Sequence, residues 1–485
     1  MFHLWEALHR VPGIGPFIGN VLLVFWLAYV LLLGGWIVLQ KREPVATLSW
    51  LFALAFLPYV GFLIYYLLGP RRIERQRLRR LRSRIGDGTL PPDALAAADG
   101  HDARELATLV RRSTGHGQST ARDVRLLVDG AAKYDAVIAD VRAAQHLVHL
   151  EYYIYMPDRS GMALMAALVE AAQRGVKVRL LLDALGSSAM RQRHFAALLA
   201  AGGEVAWFHP NRFWRIWSRP WVNLRTHRKI VVIDNRIGYT GGINVTDDEN
   251  ERLRTDAYRD LHVRLDGDVV RNLELVFAED WVYATGRRDV LSDIAHHMPA
   301  PAPGSVAAQI VASGPDSPWE AIHRMYVQLI HAAKSRVWLA TPYFVPGEAA
   351  MMALTSAALG GLDVRLLVPR RSDSLMVTLA ARSYYDPLLA AGVKIYEYGP
   401  RMLHTKVMLV DDTTVSIGTA NFDHRSFSLN FEVAALLQDR NAAEAMARHL
   451  EGEFANAPRV REDRRRSLFA CRLPEALARL LSPLL

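Results

Sequence analysis

Cysteine is nearly absent from this chain of 485 residues: Cys471 stands alone. A single thiol excludes an internal disulfide and suits a reducing compartment. Clusters of histidine, cysteine and carboxylate at metal-ligand spacing are also missing, so no metal and no other cofactor is expected. Acidic residues are the minority charge. The 49 Asp and Glu against 58 Lys and Arg leave a net charge of +9, which favours an anionic partner, either nucleic acid or acidic lipid.

Charge is missing altogether from two long stretches near the N-terminus, residues 17–39 and 45–68. At ~1.5 Å per residue, each is long enough as a helix to cross a hydrocarbon core of ~30 Å. Only "QKREP" separates them, so they read as a tight transmembrane hairpin. A secretory signal would have a shorter apolar region and would not be followed at once by a second span. Directly after the second stretch comes "RRIERQRLRRLRSR", with eight arginines and one glutamate, against Lys41 and Arg42 in the hairpin loop. The positive-inside rule places this run, and the body that follows it, in the cytoplasm. A Gly/Pro-rich linker, residues 86–103, comes next.

What the body does contain is one pattern written twice. "HRKIVVIDNRIGYTGGIN" holds His227, Lys229, Asp234, Gly241 and Asn244. "HTKVMLVDDTTVSIGTAN" holds His404, Lys406, Asp411, Gly418 and Asn421 at the same offsets of two, seven, fourteen and seventeen. Five residue types recurring at fixed offsets indicate an internal duplication. "KIVVID" and "KVMLVD" read as buried strands. Residues two apart on a strand share a face, so each histidine points the same way as its lysine, while Asp234 and Asp411 fall at strand ends.

The residue types suit displacement at phosphorus. A neutral imidazole is a nucleophile or base, and a protonated one is an acid. Two such sets facing each other place a histidine on either side of a phosphoryl group, with lysine and asparagine holding its oxygens. The fixed cations take the charge that a divalent metal would otherwise take.

The pattern H-x-K-x4-D-x6-G-G/T-x-N, present twice, resembles the phospholipase D superfamily. Further stretches are similar to its bacterial cardiolipin synthase branch: "REPVATLSWLFALAFLPYVGFLIYYLLGP", "ATPYFVP", "SFSLNFE" and the terminal "LLSPLL". The resemblance implies that His227 and His404 serve as nucleophile and general acid, in an order left open. It implies that Lys229, Lys406, Asn244 and Asn421 bind phosphate, and that Asp234 and Asp411 complete the motifs in a more structural role. It also implies a carboxylate that orients each imidazole: Glu432 fits in the second half and Asp260 in the first. Thr419 follows the glycine of the second motif where the first has Gly242, so any role of that hydroxyl is in question in the first half.

The implied architecture is α/β: two pseudo-symmetric, layered phospholipase D-like domains behind the transmembrane hairpin. Expected boundaries are 1–69 for the anchor, 70–124 for the basic segment and linker, 125–298 for the first domain and 299–485 for the second. The implied activity is membrane-bound phosphatidyl transfer, making cardiolipin and glycerol from two phosphatidylglycerol molecules through a phosphohistidine. The alternative is a phospholipase D-type hydrolase acting on phospholipid. The expected partners are phosphatidylglycerol and anionic membrane lipid, with no nucleic acid, at a bacterial inner membrane. Residues 207–223 hold four tryptophans and three arginines. That composition fits a membrane interface, an acyl-chain entrance, stacking on single-stranded nucleic acid, or a loop packed by its own aromatics. The last helix, "LPEALARLLSPLL", is amphipathic and reads as core-packing.

Overall fold

In a computed structural model of the chain, the described residues are 15–39, 44–57, 61, 65, 101–210, 224–317, 319–462, 467–480 and 482. The arginine run 71–84 and positions 211–223 of the aromatic segment lie outside them. So do linker residues 86–100 and parts of the second apolar stretch.

The described residues belong to two compact units. In the N-terminal unit, Gly15–Leu39 is one helix of 25 residues with no charged residue, and Pro44–Phe56 is a helix of 13. Ile37, Leu54 and Tyr65 pack together, and the Trp50 and Tyr65 rings meet edge to face at 5.2 Å. Side chains of the first helix are described without a break only from Leu23 to Leu39. Among the described residues no helix is long and apolar enough to cross a membrane.

The second unit carries the duplication. Its strands are β1 (Ser119–Ala121), β2 (Asp123–Val128), β3 (Leu147–Tyr152), β4 (Lys177–Asp183), β5 (Glu204–Phe208), β6 (Ile230–Ile233), β7 (Ile237–Gly241), β8 (Leu261–Asp266), β9 (Val306–Ser313), β10 (Arg336–Ala340), β11 (Phe344–Val345), β12 (Asp363–Pro369), β13 (Lys394–Tyr398), β14 (Val407–Val410), β15 (Thr414–Gly418), β16 (Phe422–Asp423) and β17 (Glu432–Gln438). One sheet runs β2-β8-β7-β6-β3-β4-β5 and the other β1-β9-β17-β15-β14-β10-β12-β13. From β9 onward, the second order repeats the first strand for strand. In both, three parallel strands adjoin an antiparallel set that includes the motif hairpin, β6–β7 or β14–β15.

The period of two along these strands sorts apolar side chains into separate cores. Ile230 and Val232 of β6 share a central core with Val407 and Leu409 of β14 and Val433 of β17. Their neighbours Val231 and Ile233 point outward, onto Tyr134, Val137, Leu164 and Leu168 of helices Asp129–Ala143 and Arg159–Gln173. Met408 and Val410 do the same under helices Ala321–Ala332 and Glu348–Leu359. Burial on both faces is why the motif strands read as continuous apolar runs.

Two details refine the sequence reading. The stretch assigned to the linker ends in helix His101–Thr114, and β1 follows; both join the second half, where β1 pairs with β9 and Leu106 and Val110 enter the core. The last helix, Leu473–Leu480, puts Ala478 into the core and buries Glu475 but leaves Leu473, Leu477 and Leu480 exposed; residues 481 and 483–485 of the segment expected to pack on the core lie outside the described residues.

Candidate active site

Two short parallel bridges splice the halves together: Thr226 with Phe431, and Arg259 with Leu403. The His227 amide donates to the Phe431 carbonyl at 2.9 Å, and the His404 amide donates to the Arg259 carbonyl at 2.7 Å. Each motif histidine therefore enters just ahead of a strand of the opposite half, His227 before β17 and His404 before β8. The side chains follow. His227 Nδ1 lies 3.0 Å from both carboxylate oxygens of Glu432, and His404 Nδ1 lies 2.7 Å from Asp260 Oδ2. The sequence places one such carboxylate in each half, and in the structure each lies against the histidine of the other half.

With Nδ1 donating to a carboxylate, Nε2 of each ring has no hydrogen-bond partner among the described residues. Both rings are almost fully buried. Burial lowers His227 to about 4, with Lys229 and Lys406 adding to the effect against the pull of Glu432. Burial and then Lys406 hold His404 well below the ordinary range. Burial thus favours the neutral form of both imidazoles, and the negative charge of a bound phosphodiester would raise the proton affinity of the one that acts as acid. Lys229 lies beside its histidine, its Nζ donating to the His227 carbonyl at 2.8 Å, and Lys406 Nζ makes the matching bond to the His404 carbonyl. Burial, reinforced by Lys406, lowers Lys229 to about 7.

The two carboxylates differ. Burial opposes ionisation of Glu432, but His227, Lys229 and the Thr419 hydroxyl outweigh it and its acidity is enhanced. Thr419 Oγ1 donates to Glu432 Oε2 at 2.5 Å. Asp260 is pushed up to about 7 by burial, against the attraction of Lys406. A Cβ at Gly242 would come within 2.3 Å of the Asp260 carboxylate. The missing hydroxyl of the first motif is thus the space that Asp260 occupies.

Asn244 is fixed on three sides. Its Nδ2 donates to Glu249 Oε1 at 2.7 Å, its backbone amide to Glu249 Oε2 at 2.6 Å, and its Oδ1 accepts from the Ile154 amide at 3.3 Å. Asn421 is held through its backbone amide, which donates to Ser426 Oγ at 3.2 Å. Asp234 and Asp411 are not brought to the histidines. The Asp234 carboxylate, beyond the far end of β6, accepts from the amides of Gln145, His146 and Leu147. That of Asp411 accepts from Lys334, Ser335 and Arg336. Both residues have positive φ, 50° and 52°, and close the motif hairpin while anchoring the start of β3 or β10.

Several residues at the centre escaped the sequence reading. Glu249 stands five positions after Asn244, where the second half has Ser426 after Asn421, so the repeat does not extend to it. Lys133, fully buried, donates to the Asn244 carbonyl at 3.1 Å and is lowered to about 7 by burial, against the pull of Glu249 and Asp260. Tyr153 and Tyr258 set their rings 5.1 and 5.6 Å from those of His227 and His404. Only tertiary structure brings these three in.

Among the described residues, Glu249, Asp260 and His404 form the one group whose donor atoms all lie within 4.8 Å of one another. Lys406 Nζ stands 3.8 Å from Asp260 Oδ2, and His404 Nδ1 is already engaged by the same carboxylate. Lysines supply the positive charge here, so the donor set does not fit a resident divalent ion.

Two sheets of one topology, meeting across paired histidines and lysines, define a phospholipase D-like two-domain α/β protein. Comparison with solved structures agrees for the fold. Phosphatidylserine synthase from Haemophilus influenzae superposes with a TM-score of 0.59 at 13% identity, covering 78% of this chain and 100% of that one. The family model described as cardiolipin synthase, PLD-like domain, matches residues 137–281 and 326–456, and one described as phospholipase D-nuclease N-terminal matches 21–70. A cardiolipin synthase of Geobacillus kaustophilus is 40% identical over 92% of this chain and 90% of its own length. Cardiolipin synthase 2 of Bacillus anthracis is 38% identical over 94% and 90%. The chain belongs to the phospholipase D-like cardiolipin synthase family.

Proposed function

We propose that this protein is a membrane-bound phosphatidyltransferase that makes cardiolipin and glycerol from two phosphatidylglycerol molecules. The observation that carries this reading is the crossed pair of histidine–carboxylate contacts, His227 with Glu432 and His404 with Asp260, around Lys229 and Lys406. One imidazole Nε2 attacks phosphorus and the bond to glycerol breaks. The other histidine gives the departing oxygen its proton. The hydroxyl of a second phosphatidylglycerol then attacks the phosphohistidine, and its proton returns to that second histidine. Lys229, Lys406, Asn244 and Asn421 hold the phosphoryl oxygens as charge shifts.

The uncharged helix Gly15–Leu39 and the apolar stretch after it support a hairpin anchor with the catalytic body on the cytoplasmic side of a bacterial inner membrane. Purified protein incubated with labelled phosphatidylglycerol in EDTA tests the activity, with products separated by thin-layer chromatography. Cardiolipin and glycerol are the expected products. Phosphatidic acid as sole product, or a requirement for a nucleotide-activated lipid, would overturn the proposal. An alkaline phosphatase fusion at the C-terminus tests the topology and should be inactive.

A further inference from the structure

The exposed apolar stripe of the last helix continues to the rim of the active site. Helix Leu473–Leu480 packs against helix Leu375–Arg382. Arg479 covers the Tyr384 ring at 4.6 Å, and the Tyr384 hydroxyl donates to Ser482 at 3.0 Å. Phe469, Leu473, Leu477 and Leu480 recur at helical spacing, and Phe469 and Leu480 are 77% and 75% exposed. On the neighbouring helix Leu375 is 73% exposed and Met376 40%. Leu375 stands two residues after Asp373, which accepts from the Tyr343 hydroxyl at 2.8 Å and is near enough to Lys406 and Tyr258 for its charge to reach both. Tyr258 in turn adjoins the His404 ring.

Exposed Arg370, Arg371, Arg472 and Arg479 flank these apolar side chains. Large apolar groups fringed by arginine match the acyl boundary and anionic headgroups of a bilayer. We propose that this face, formed by residues 468–480 and Leu375–Met376, seats on an anionic phospholipid bilayer and holds the mouth of the site at the headgroup layer. The inference rests on the lipid-substrate reading. It adds which face of the catalytic body meets the membrane.

Cys471, the chain's only cysteine, lies within this face and is partly exposed, so it supplies the probe. The full chain, labelled there with an environment-sensitive fluorophore, is reconstituted in phosphatidylcholine–phosphatidylglycerol vesicles. The expected result is a blue-shifted emission that doxyl-labelled lipid quenches. F469E/L477E should abolish the quenching and lower cardiolipin formation from vesicles by roughly tenfold or more, while turnover of monomeric short-chain phosphatidylglycerol stays within about twofold. A label that reports water in vesicles overturns the proposal. So does a blue shift without lipid quenching, which would mean that protein covers the face, and so does a variant equally active on vesicles. If wild type makes no cardiolipin from either substrate, the catalytic reading fails, and the quenching still decides the docking face.

Discussion

His404 and Asp260 belong to different halves of a duplicated chain, yet His404 Nδ1 and Asp260 Oδ2 are 2.7 Å apart. His227 and Glu432 repeat the relationship in the opposite direction at 3.0 Å. Neither half can complete a histidine–carboxylate pair alone. Asp260→Asn and Glu432→Gln should therefore each lower kcat by about 10²–10⁴ with little change in KM, because each replaces a carboxylate, which only accepts, with an amide whose NH2 can face Nδ1 and hold the imidazole in the wrong tautomer. Steady-state kinetics on short-chain phosphatidylglycerol check this. A loss confined to KM would contradict it.

The two carboxylates are supported differently, and the substitutions that probe them differ accordingly. Thr419→Val removes the hydroxyl that donates to buried Glu432 at 2.5 Å and should cost about 1–3 kcal/mol of stability, read by denaturant unfolding. Gly242→Thr makes the first motif match the second. Its Cβ would lie 2.3 Å from the Asp260 carboxylate, so the change should destabilise the protein and abolish turnover. Wild-type activity in that variant would contradict the assigned role of the glycine.

Glu249→Gln should lower activity by roughly 10–100-fold, because an amide cannot accept from both the backbone and the side chain of Asn244 with both of its arms. The pH profile separates this from mere loosening. Glu249 raises the proton affinity of Lys133, Lys229, Lys406 and His404. Its neutralisation should shift the alkaline limb of the rate profile to lower pH. An unshifted profile would leave Glu249 a purely structural residue.

The duplication, the strands and the eight motif residues with Asn244 and Asn421 were legible because they recur at fixed offsets. Asp260 and Glu432 were found by resemblance, but their crossing was not: it depends on the Thr226–Phe431 and Arg259–Leu403 bridges, between residues far apart in the chain. Glu249 and Lys133 were hidden because they break the repeat. Lys133 in particular sits on a helix, where a lone lysine is ordinarily solvated. The exposure of Leu473, Leu477 and Leu480 was not legible because amphipathic spacing does not say what covers the apolar side.

Anion affinity should fall as pH rises. Burial lowers Lys229 to about 7, so the lysine is charged below that pH and loses its proton as pH climbs through it. Glycerophosphoglycerol stays monoanionic over the range, so its own titration does not interfere. Its inhibition constant should rise between pH 6 and pH 8.5, by up to about tenfold for the loss of one cation. A constant that is flat or falls across this range would contradict the lowered lysine.

The most direct test of the central claim, that both halves build one phosphoryl-transfer site, is to trap the intermediate. Full-length protein is mixed with phosphatidylglycerol labelled at phosphorus, quenched rapidly in alkaline denaturant and digested for mass spectrometry. One alkali-stable, acid-labile phosphorus label per chain is expected, on His227 or His404 and on no other residue. Alanine at the labelled position should abolish the adduct. Label on a carboxylate or a hydroxyl, or an adduct that survives in both His227→Ala and His404→Ala, would contradict the account.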